Sequence, residues 1–475
     1  MLWSYLKCDE EMTDLRVLSS AQIVEGLRSG VVKVAVVGLG YVGLPLTLIL
    51  VKKGATVIGV DREKNVIEKL IRRNAPIFEP GVDELLREID EGKLHFTTNL
   101  TEAAAEADII IICVGTPVAS DGEPISKDLA SVALSVGKAL QPGKAVIVRS
   151  TVPPGTTVKM IKPRLEKRSR LKAGKDFALA YCPERLVEGN ALKEIETVPH
   201  LIAAADELSI GIAKGFFSFV GGEVIRATTI ATAEIAKIFD NVYRDVNIAL
   251  ANELALICEA VGVDILEAIK VANTGPRTRI LTPGCGVGGS CLTKDPNMLS
   301  YIAKRAKVRP TLIAAARQRN RYMPFHTIGL VRSAYLEMGK RIPGSKIAIM
   351  GLAYKGETDD LRESVAIHIA KELAKMKAIL IGYDPYVSEK KVLSTLGKIT
   401  LLRDPLDAAK GTDCLVITAD HNQLRGLNPS DLIKLANKPA ALVDGRNVID
   451  PAEAVKAGFV FRGVGRRSSS QVRKL

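Results

Sequence analysis

The densest chemical string in the chain is PGCGVGGSCLTKDP, Pro283 to Pro296. Glycines at 284, 286, 288 and 289 make a loop that permits close approach. Cys291 is followed by Lys294 and Asp295, which sets a thiol, an ammonium and a carboxylate within about one turn of chain. Such surroundings can lower a thiol's pKa, so Cys291 is the expected nucleophile. No metal is expected, because Cys285 and Cys291 have neither matching histidines nor a second cysteine pair at finger spacing. Cys8, Cys113, Cys258 and Cys414 stand in apolar or featureless surroundings and read as structural. Lys237 with Asn241 is an i, i+4 pair that shares one face of a helix, and Glu184 and Glu188 in CPERLVEGNA lie four residues apart near the end of a strand. For the first pair, a surface pair and a functional pair are both open on spacing alone.

Regular elements must hold these residues. Lys33 to Val37 reads as a strand, followed by Gly38, Leu39, Gly40, Tyr41, Val42 and Gly43, an apolar helix, a strand from Thr56 to Val60, and Asp61. In such a βαβ unit Gly38 permits the tight turn, Gly40 lets the backbone approach a pyrophosphate, and Gly43 brings helix against strand. Asp61 would then take the ribose hydroxyls, favouring NAD, although Arg62 beside it could tolerate a 2′-phosphate. Ala107 to Gly115 and Lys144 to Ser150 read as buried parallel strands. They end at Thr116 and Thr151, which are cofactor or reaction-site contacts unless they merely cap the next helix. Ala233 to Val261 is a long helix with apolar residues at helical spacing, suited to be a spine between domains. Lys237, Asn241, Arg244, Asn247 and Asn252 are polar exceptions on or beside it. A second α/β series starts at Lys346 to Met350 and GLAYKGETDDLRES, with strands ending in Asp384, Thr418 and Asp444.

With 475 residues, about three units of some 150 are expected. A 47% hydrophobic and 25% charged composition is that of a globular protein, and seven scattered cysteines argue against a secreted cystine framework. A reducing cytoplasm is therefore expected. The richest apolar run, Val34 to Val51, is broken by glycines and a proline, so no membrane span is expected. The first 30 residues carry Asp9, Glu10, Glu11 and Asp14 and read as a short helix or tail rather than an export signal. The net charge of +13 fits nucleic acid, a membrane surface or a polyanionic small substrate. IKPRLEKRSRLKAGK, residues 161–175, is basic but has no interleaved aromatics, and aromatics are only 4% of the chain, so nucleic acid is disfavoured. FRGVGRRSSSQVRKL at the end is also basic.

Several strings in register resemble the nucleotide-sugar 6-dehydrogenases, the UDP-glucose/GDP-mannose dehydrogenase family. They are VAVVGLGYVGLPL, VGTP, STVPPGTT, PERLVEG, NVYRDVNIALANELALICEAVGVD, PGCGVGGSCLTKDP, GLAYKGETDDLRES and DGRN, and the resemblance runs from about Lys33 to Val464. It implies an α/β fold of two Rossmann-like domains joined by a central helical domain. The domains would be an N-terminal extension (1–30), an NAD-binding domain (31–222), a helical dimerisation domain with the cysteine loop (223–330) and a UDP-sugar-binding domain (331–475). The implied reaction is oxidation of a sugar C6 alcohol to the acid with two NAD⁺, through a thiohemiacetal and then a thioester on Cys291. By position, Lys237 and Asn241 would stabilise the oxyanion, Lys237 and Asp295 would move protons, and Glu184, Thr151 and Asp295 would serve the thioester step. Gly38, Gly40, Tyr41, Val42, Gly43, Asp61, Arg62, Thr116, Thr151 and Lys294 would contact NAD. Glu184, Arg185, Leu186, Lys237, Asn241, Arg244, Arg277, Gly288, Lys355 and Arg446 would contact the sugar nucleotide. YRDVNIALANE and PRTRILTPGCGVGG look most like the UDP-N-acetylhexosamine branch, with UDP-N-acetyl-D-mannosamine favoured, whereas Ser290 before the cysteine is as in UDP-glucose enzymes. UDP-N-acetylglucosamine stays an alternative, and a two-electron hydroxyacid dehydrogenase or a non-catalytic nucleotide binder are competing classes. A homodimer or higher homo-oligomer is the expected assembly.

Overall fold

The computed structural model describes residues 13–397 and 399–467 and divides into two compact units, Met1–Phe239 and Asp240–Leu475. Cys8 and the last residues of the basic tail lie outside the described residues.

The first unit is built on eight strands: β1 (Lys33–Val37), β2 (Thr56–Val60), β3 (Leu94–Thr97), β4 (Ile109–Ile112), β5 (Ala145–Val148), β6 (Ala178–Tyr181), β7 (His200–Ala204) and β8 (Val224–Arg226). Their order is β3-β2-β1-β4-β5-β6-β7-β8, and all pairs are parallel except β6 with β7. The inner strands β4, β5 and β6 are buried at every position and read as continuous apolar runs, because helices cover both faces there, whereas the edge strands β3 and β8 carry exposed His95 and Arg226. Val34 and Val36 enter one core while Ala35 and Val37 enter the other. β4 is shorter than the apolar run around it, because Asp108 turns its carboxylate onto the Lys33 N–H and Cys113 already begins the next loop. The N-terminal segment is part of this unit. Ser19 and Gln22 form a capping box for the Ser20–Ser29 helix, and Leu15, Ile23 and Leu27 are fully buried in the first core. Gly215 allows that helix to pack closely, since a Cβ there would lie 2.9 Å from the Ser20 carbonyl oxygen.

The second unit carries β9 (Lys346–Met350), β10 (Ile379–Tyr383), β11 (Thr400–Leu402), β12 (Cys414–Ile417), β13 (Ala441–Asp444) and β14 (Val460–Gly463), ordered β11-β10-β9-β12-β13-β14 and all parallel. Ile347 and Ile349 face one core, Ala348 and Met350 the other. The fold is thus two Rossmann-like α/β domains joined by a helical region with two long helices, the spine Ile230–Val261 and Thr311–Met338. The basic run forms a turn and the Lys162–Ser169 helix, with Ile161 and Leu165 turned inward and Lys167, Arg168 and Arg170 exposed. Among the described residues no helix is long and apolar enough to cross a membrane.

Candidate active site

In the first unit the strand order reverses between β1 and β4, and the crevice there, at the carboxyl ends, is where open α/β sheets bind ligands. Gly38 has φ +95° and a Cβ on it would lie 2.9 Å from the Cys113 carbonyl oxygen. A Cβ on Gly43 would fall 1.8 Å from the Gly38 oxygen, so turn and helix close only with glycine at both positions. At Gly40 a Cβ would meet nothing within 4 Å: the backbone there faces open space. Tyr41 and Val42 complete the turn, and the Gly43–Lys52 helix has no side chain capping its first N–H groups. Asp61 accepts the Leu39 N–H (2.9 Å) and the Glu63 N–H (3.0 Å), which ties the acid to the glycine turn. Arg62 is turned to Asp128 (2.9 Å) and Glu63 (3.2 Å). An open glycine cradle with an acid at its flank fits a dinucleotide.

Thr116 and Thr151 are brought together, the Thr116 hydroxyl donating to the Thr151 carbonyl at 2.5 Å. Glu184, Arg185 and Leu186 lie in the loop after β6, partly buried. Two carboxylates to which the sequence alone assigns no role hold these loops. Glu79, 4% exposed, accepts the Gly189 and Ala191 N–H groups (2.8 and 2.7 Å), and Glu234, fully buried, accepts those of Gly155 and Thr157. Their partners lie 110 and 79 residues away, so no local signal marks them.

In the second unit Cys291 is the exposed thiol among the described cysteines. Burial pushes Cys113 up to about 12 and Cys285 up to about 11, and raises Cys182 and Cys414 as well, so these thiols stay protonated. The Cys291 carbonyl accepts the Lys294 and Asp295 N–H groups (3.2 and 2.9 Å), which winds the segment into the Asp295–Arg305 helix. Asp295 is 1% exposed; its Oδ2 accepts from Asn241 Nδ2 at 2.6 Å and its Oδ1 pairs with Lys294 Nζ at 3.1 Å. Ser290 Oγ is 3.8 Å from Cys291 Sγ. Lys237 lies one turn before Asn241 in the spine helix, and both are buried rather than on a solvated face. Arg244 and Arg277 are exposed.

Lys355 and Arg446 sit on loops after β9 and β13. Asp420 joins those loops: it accepts from the Gly356 N–H (3.1 Å) and from Arg446 Nη2 (2.9 Å). Burial works to raise its pKa, but Arg446, the Gly356 N–H and Arg425 outweigh it and hold Asp420 well below the usual carboxylate range. The cysteine loop is docked on the same region, with Cys285 N–H donating to the Gly445 oxygen (2.8 Å) and Gly289 N–H to the Arg362 oxygen (3.1 Å). A Cβ on Gly288 would meet the Glu363 oxygen at 2.6 Å, so close approach is the purpose of that glycine.

Three family profiles match in order: the NAD binding domain of the UDP-glucose/GDP-mannose dehydrogenase family over residues 32–218, its central domain over 231–322 and its UDP binding domain over 348–451. The UDP-N-acetyl-D-mannosamine dehydrogenase of Pyrococcus horikoshii is 38% identical over 436 residues, 91% of this chain and 99% of that protein. A solved structure of the Pyrococcus horikoshii enzyme superposes with TM-score 0.81 at 36% identity, covering 91% of this chain and 99% of that one. A UDP-glucose dehydrogenase from Pyrobaculum islandicum also gives TM-score 0.81, at 28% identity over 91% and 98% of the two chains.

Proposed function

Since the chain belongs to the UDP-glucose/GDP-mannose dehydrogenase family and is an NAD-dependent nucleotide-sugar dehydrogenase, we propose that it oxidises the C6 alcohol of a UDP-N-acetylhexosamine to the uronate. UDP-N-acetyl-D-mannosamine is the favoured substrate, supported by the likeness to the Pyrococcus enzyme over nearly its whole length. Ser290 and the equal superposition on a UDP-glucose dehydrogenase favour UDP-glucose as the second reading. The observation that carries the reaction type is an exposed Cys291 one turn before Asp295, whose N–H its carbonyl accepts and whose buried carboxylate accepts from Asn241.

The Gly38 to Gly43 turn with Asp61 would hold NAD⁺, and two NAD⁺ in succession would each accept one of the two hydrides that leave C6. Cys291 Sγ bonds C6 of the aldehyde and keeps it on the protein between the two oxidations. The first adduct is a thiohemiacetal, its oxidised form a thioester, which water cleaves to free thiol and carboxylate. Asn241 gives one amide hydrogen to Asp295, and its other is the donor for the oxygen on C6. Asp295, anchored by Asn241 and Lys294, accepts the proton of the alcohol and later orients water. Lys237 adds positive charge for the oxyanion, and Glu184 and Thr151 serve the thioester step.

The test is NADH counted per sugar with UDP-N-acetylmannosamine, UDP-N-acetylglucosamine, UDP-glucose and GDP-mannose. Two NADH per UDP-N-acetylmannosamine, with Cys291→Ser losing the four-electron turnover, is expected; one NADH per sugar, or full turnover by Cys291→Ser, refutes covalent catalysis. Tyr243, Leu250, Ile257 and Val261 are exposed along the spine at near-heptad spacing, which supports a homodimer through that helix. Leu250→Glu with Ile257→Glu should then yield a monomer by light scattering, and an unchanged mass would refute it.

A further inference from the structure

Asn241, Asp245 and Asn252 stand at i, i+4 and i+11 on the spine helix, positions that share one face at 3.6 residues per turn. All three are buried, at 3%, 0% and 0% exposure. Asn241 holds Asp295, and the other two belong to a network that the proposed chemistry has not used. Arg317, 6% exposed on the Thr311–Met338 helix, donates from Nη1 to Asp245 Oδ1 (2.7 Å) and to the Leu292 carbonyl oxygen (3.3 Å). Asn320, one turn further, donates to Asp245 Oδ1 and to the Asp245 carbonyl (2.8 and 2.9 Å). Its own oxygen accepts from Asn252 Nδ2 at 2.9 Å, and Asn252 Oδ1 accepts the Gly284 N–H at 2.9 Å.

The network therefore grips the cysteine segment at two places, Gly284 near its start and Leu292 next to Cys291. Burying an ion pair and two amides is costly in a helix interface that apolar residues could fill, so such groups are retained where they fix one geometry. We propose that Asp245, Arg317, Asn320 and Asn252 are positioning residues that set where Cys291 Sγ sits. Asp245 anchors Arg317, Arg317 fixes the peptide after Cys291, and Asn320 passes the same register to Asn252 and the glycine end of the loop.

For its activity readout the inference rests on Cys291 being the nucleophile, so the test adds one that does not. The full-length protein is compared with Arg317→Met, with the charge-free double variant Asp245→Asn/Arg317→Met, and with Asn252→Ala, which keeps the ion pair and folds with the least disturbance. Cys291 alkylation by iodoacetamide is followed by peptide mass spectrometry, UDP affinity by calorimetry, and turnover by NADH. In Arg317→Met and the double variant kcat should fall about 100-fold with KM for the UDP-sugar within about twofold, the pattern of a displaced reacting group. The alkylation rate should rise about threefold or more as the segment loosens. Arg317→Lys should recover part of both, and Asn252→Ala should show the same pattern at smaller size. Wild-type kcat and alkylation in the folded variants would overturn the proposal, as would a kcat loss matched by equal losses of UDP affinity and cooperative melting. Should Cys291→Ser keep full turnover, the nucleophile assignment falls and the alkylation rates alone decide whether the network positions the thiol.

Discussion

Asp61 and Asp384 occupy the same place in the two sheets. Each follows the second strand of its unit, and each accepts the N–H of the leucine after a left-handed glycine that ends the first strand: Leu39 after Gly38 (φ +95°), Leu352 after Gly351 (φ +93°). From there they diverge. Asp61 spends its other oxygen on the Glu63 N–H and stays partly exposed beside an open glycine turn. Asp384 is fully buried, with Oδ2 shared among the Leu352 and Ala353 N–H groups and His421 Nε2, and Oδ1 taking the Tyr386 and Val387 N–H groups. His421 Nδ1 in turn accepts the Glu357 N–H at 3.2 Å, which leaves the proton on Nε2, facing Asp384. Asp61 stays beside an open turn, whereas Asp384 is consumed in tying its own turn to the loop after β9, which carries Lys355.

The sharpest way to separate the two roles is Asp384→Ala. Five donors would lose their acceptor in a buried site, so the second unit should be destabilised by about 3–5 kcal/mol and UDP binding lost with it. NAD⁺ affinity should hold. Thermal denaturation and calorimetry with both ligands check this, and an unchanged melt would mean that Asp384 is no keystone. Although burial pushes Asp384 upward, His421 and the Val387 and Ala353 N–H groups bring its carboxyl below the usual range. A lowered folded pKa means that its contribution is present above about pH 4 and lost as pH falls below that.

The glycine turn and Asp61 were legible in the sequence because a dinucleotide turn demands fixed residue types within one βαβ unit. Cys291, Lys294 and Asp295 were legible by adjacency. Asp384 was visible as a strand end, but its partner His421 is 37 residues on, and neither residue's type announces the pairing. The same holds for Asn241 with Asp295, 54 residues apart, and for Arg317 with Asp245, 72 apart. Topology creates these contacts, and a periodicity argument sees only that a polar residue stands on a helix.

Buried histidines extend the contrast. His421 has a partner on each ring nitrogen, whereas His200 in the first unit is 5% exposed and its Nε2 has none. Burial, then the charge of Arg149, pushes His200 down to about 4. The folded chain keeps it neutral while the unfolded chain protonates it near 6.5, so stability is lost between those values, by about 3 kcal/mol in all. Asp108, which burial raises to about 6, works in the opposite sense and masks the loss. His200→Gln keeps Asp108 and removes the histidine. Its stability relative to wild type, by urea denaturation, should therefore climb by about 3 kcal/mol from pH 7 to pH 4. A flat difference would mean that His200 Nε2 finds a partner in the folded chain.

Asp61→Ala should be the mildest of the three, and it addresses the open side of the contrast. Here the Asp61 side chain is itself partly exposed, so its removal lets water reach the Leu39 and Glu63 N–H groups and the cost to stability should stay near 1 kcal/mol. The effect should appear instead in cofactor choice. Without the carboxylate the ribose hydroxyls lose their acceptor and NAD⁺ affinity should fall about tenfold, or about 1.4 kcal/mol. NADP⁺ affinity should fall less, because a negative charge that repels a 2′-phosphate has gone while Arg62 is still engaged by Asp128. The NAD⁺ to NADP⁺ affinity ratio, measured by calorimetry, is the decisive number. If it does not narrow, and stability falls as far as in Asp384→Ala, the two acids do the same structural work and the ribose contact must come from another residue of the first unit.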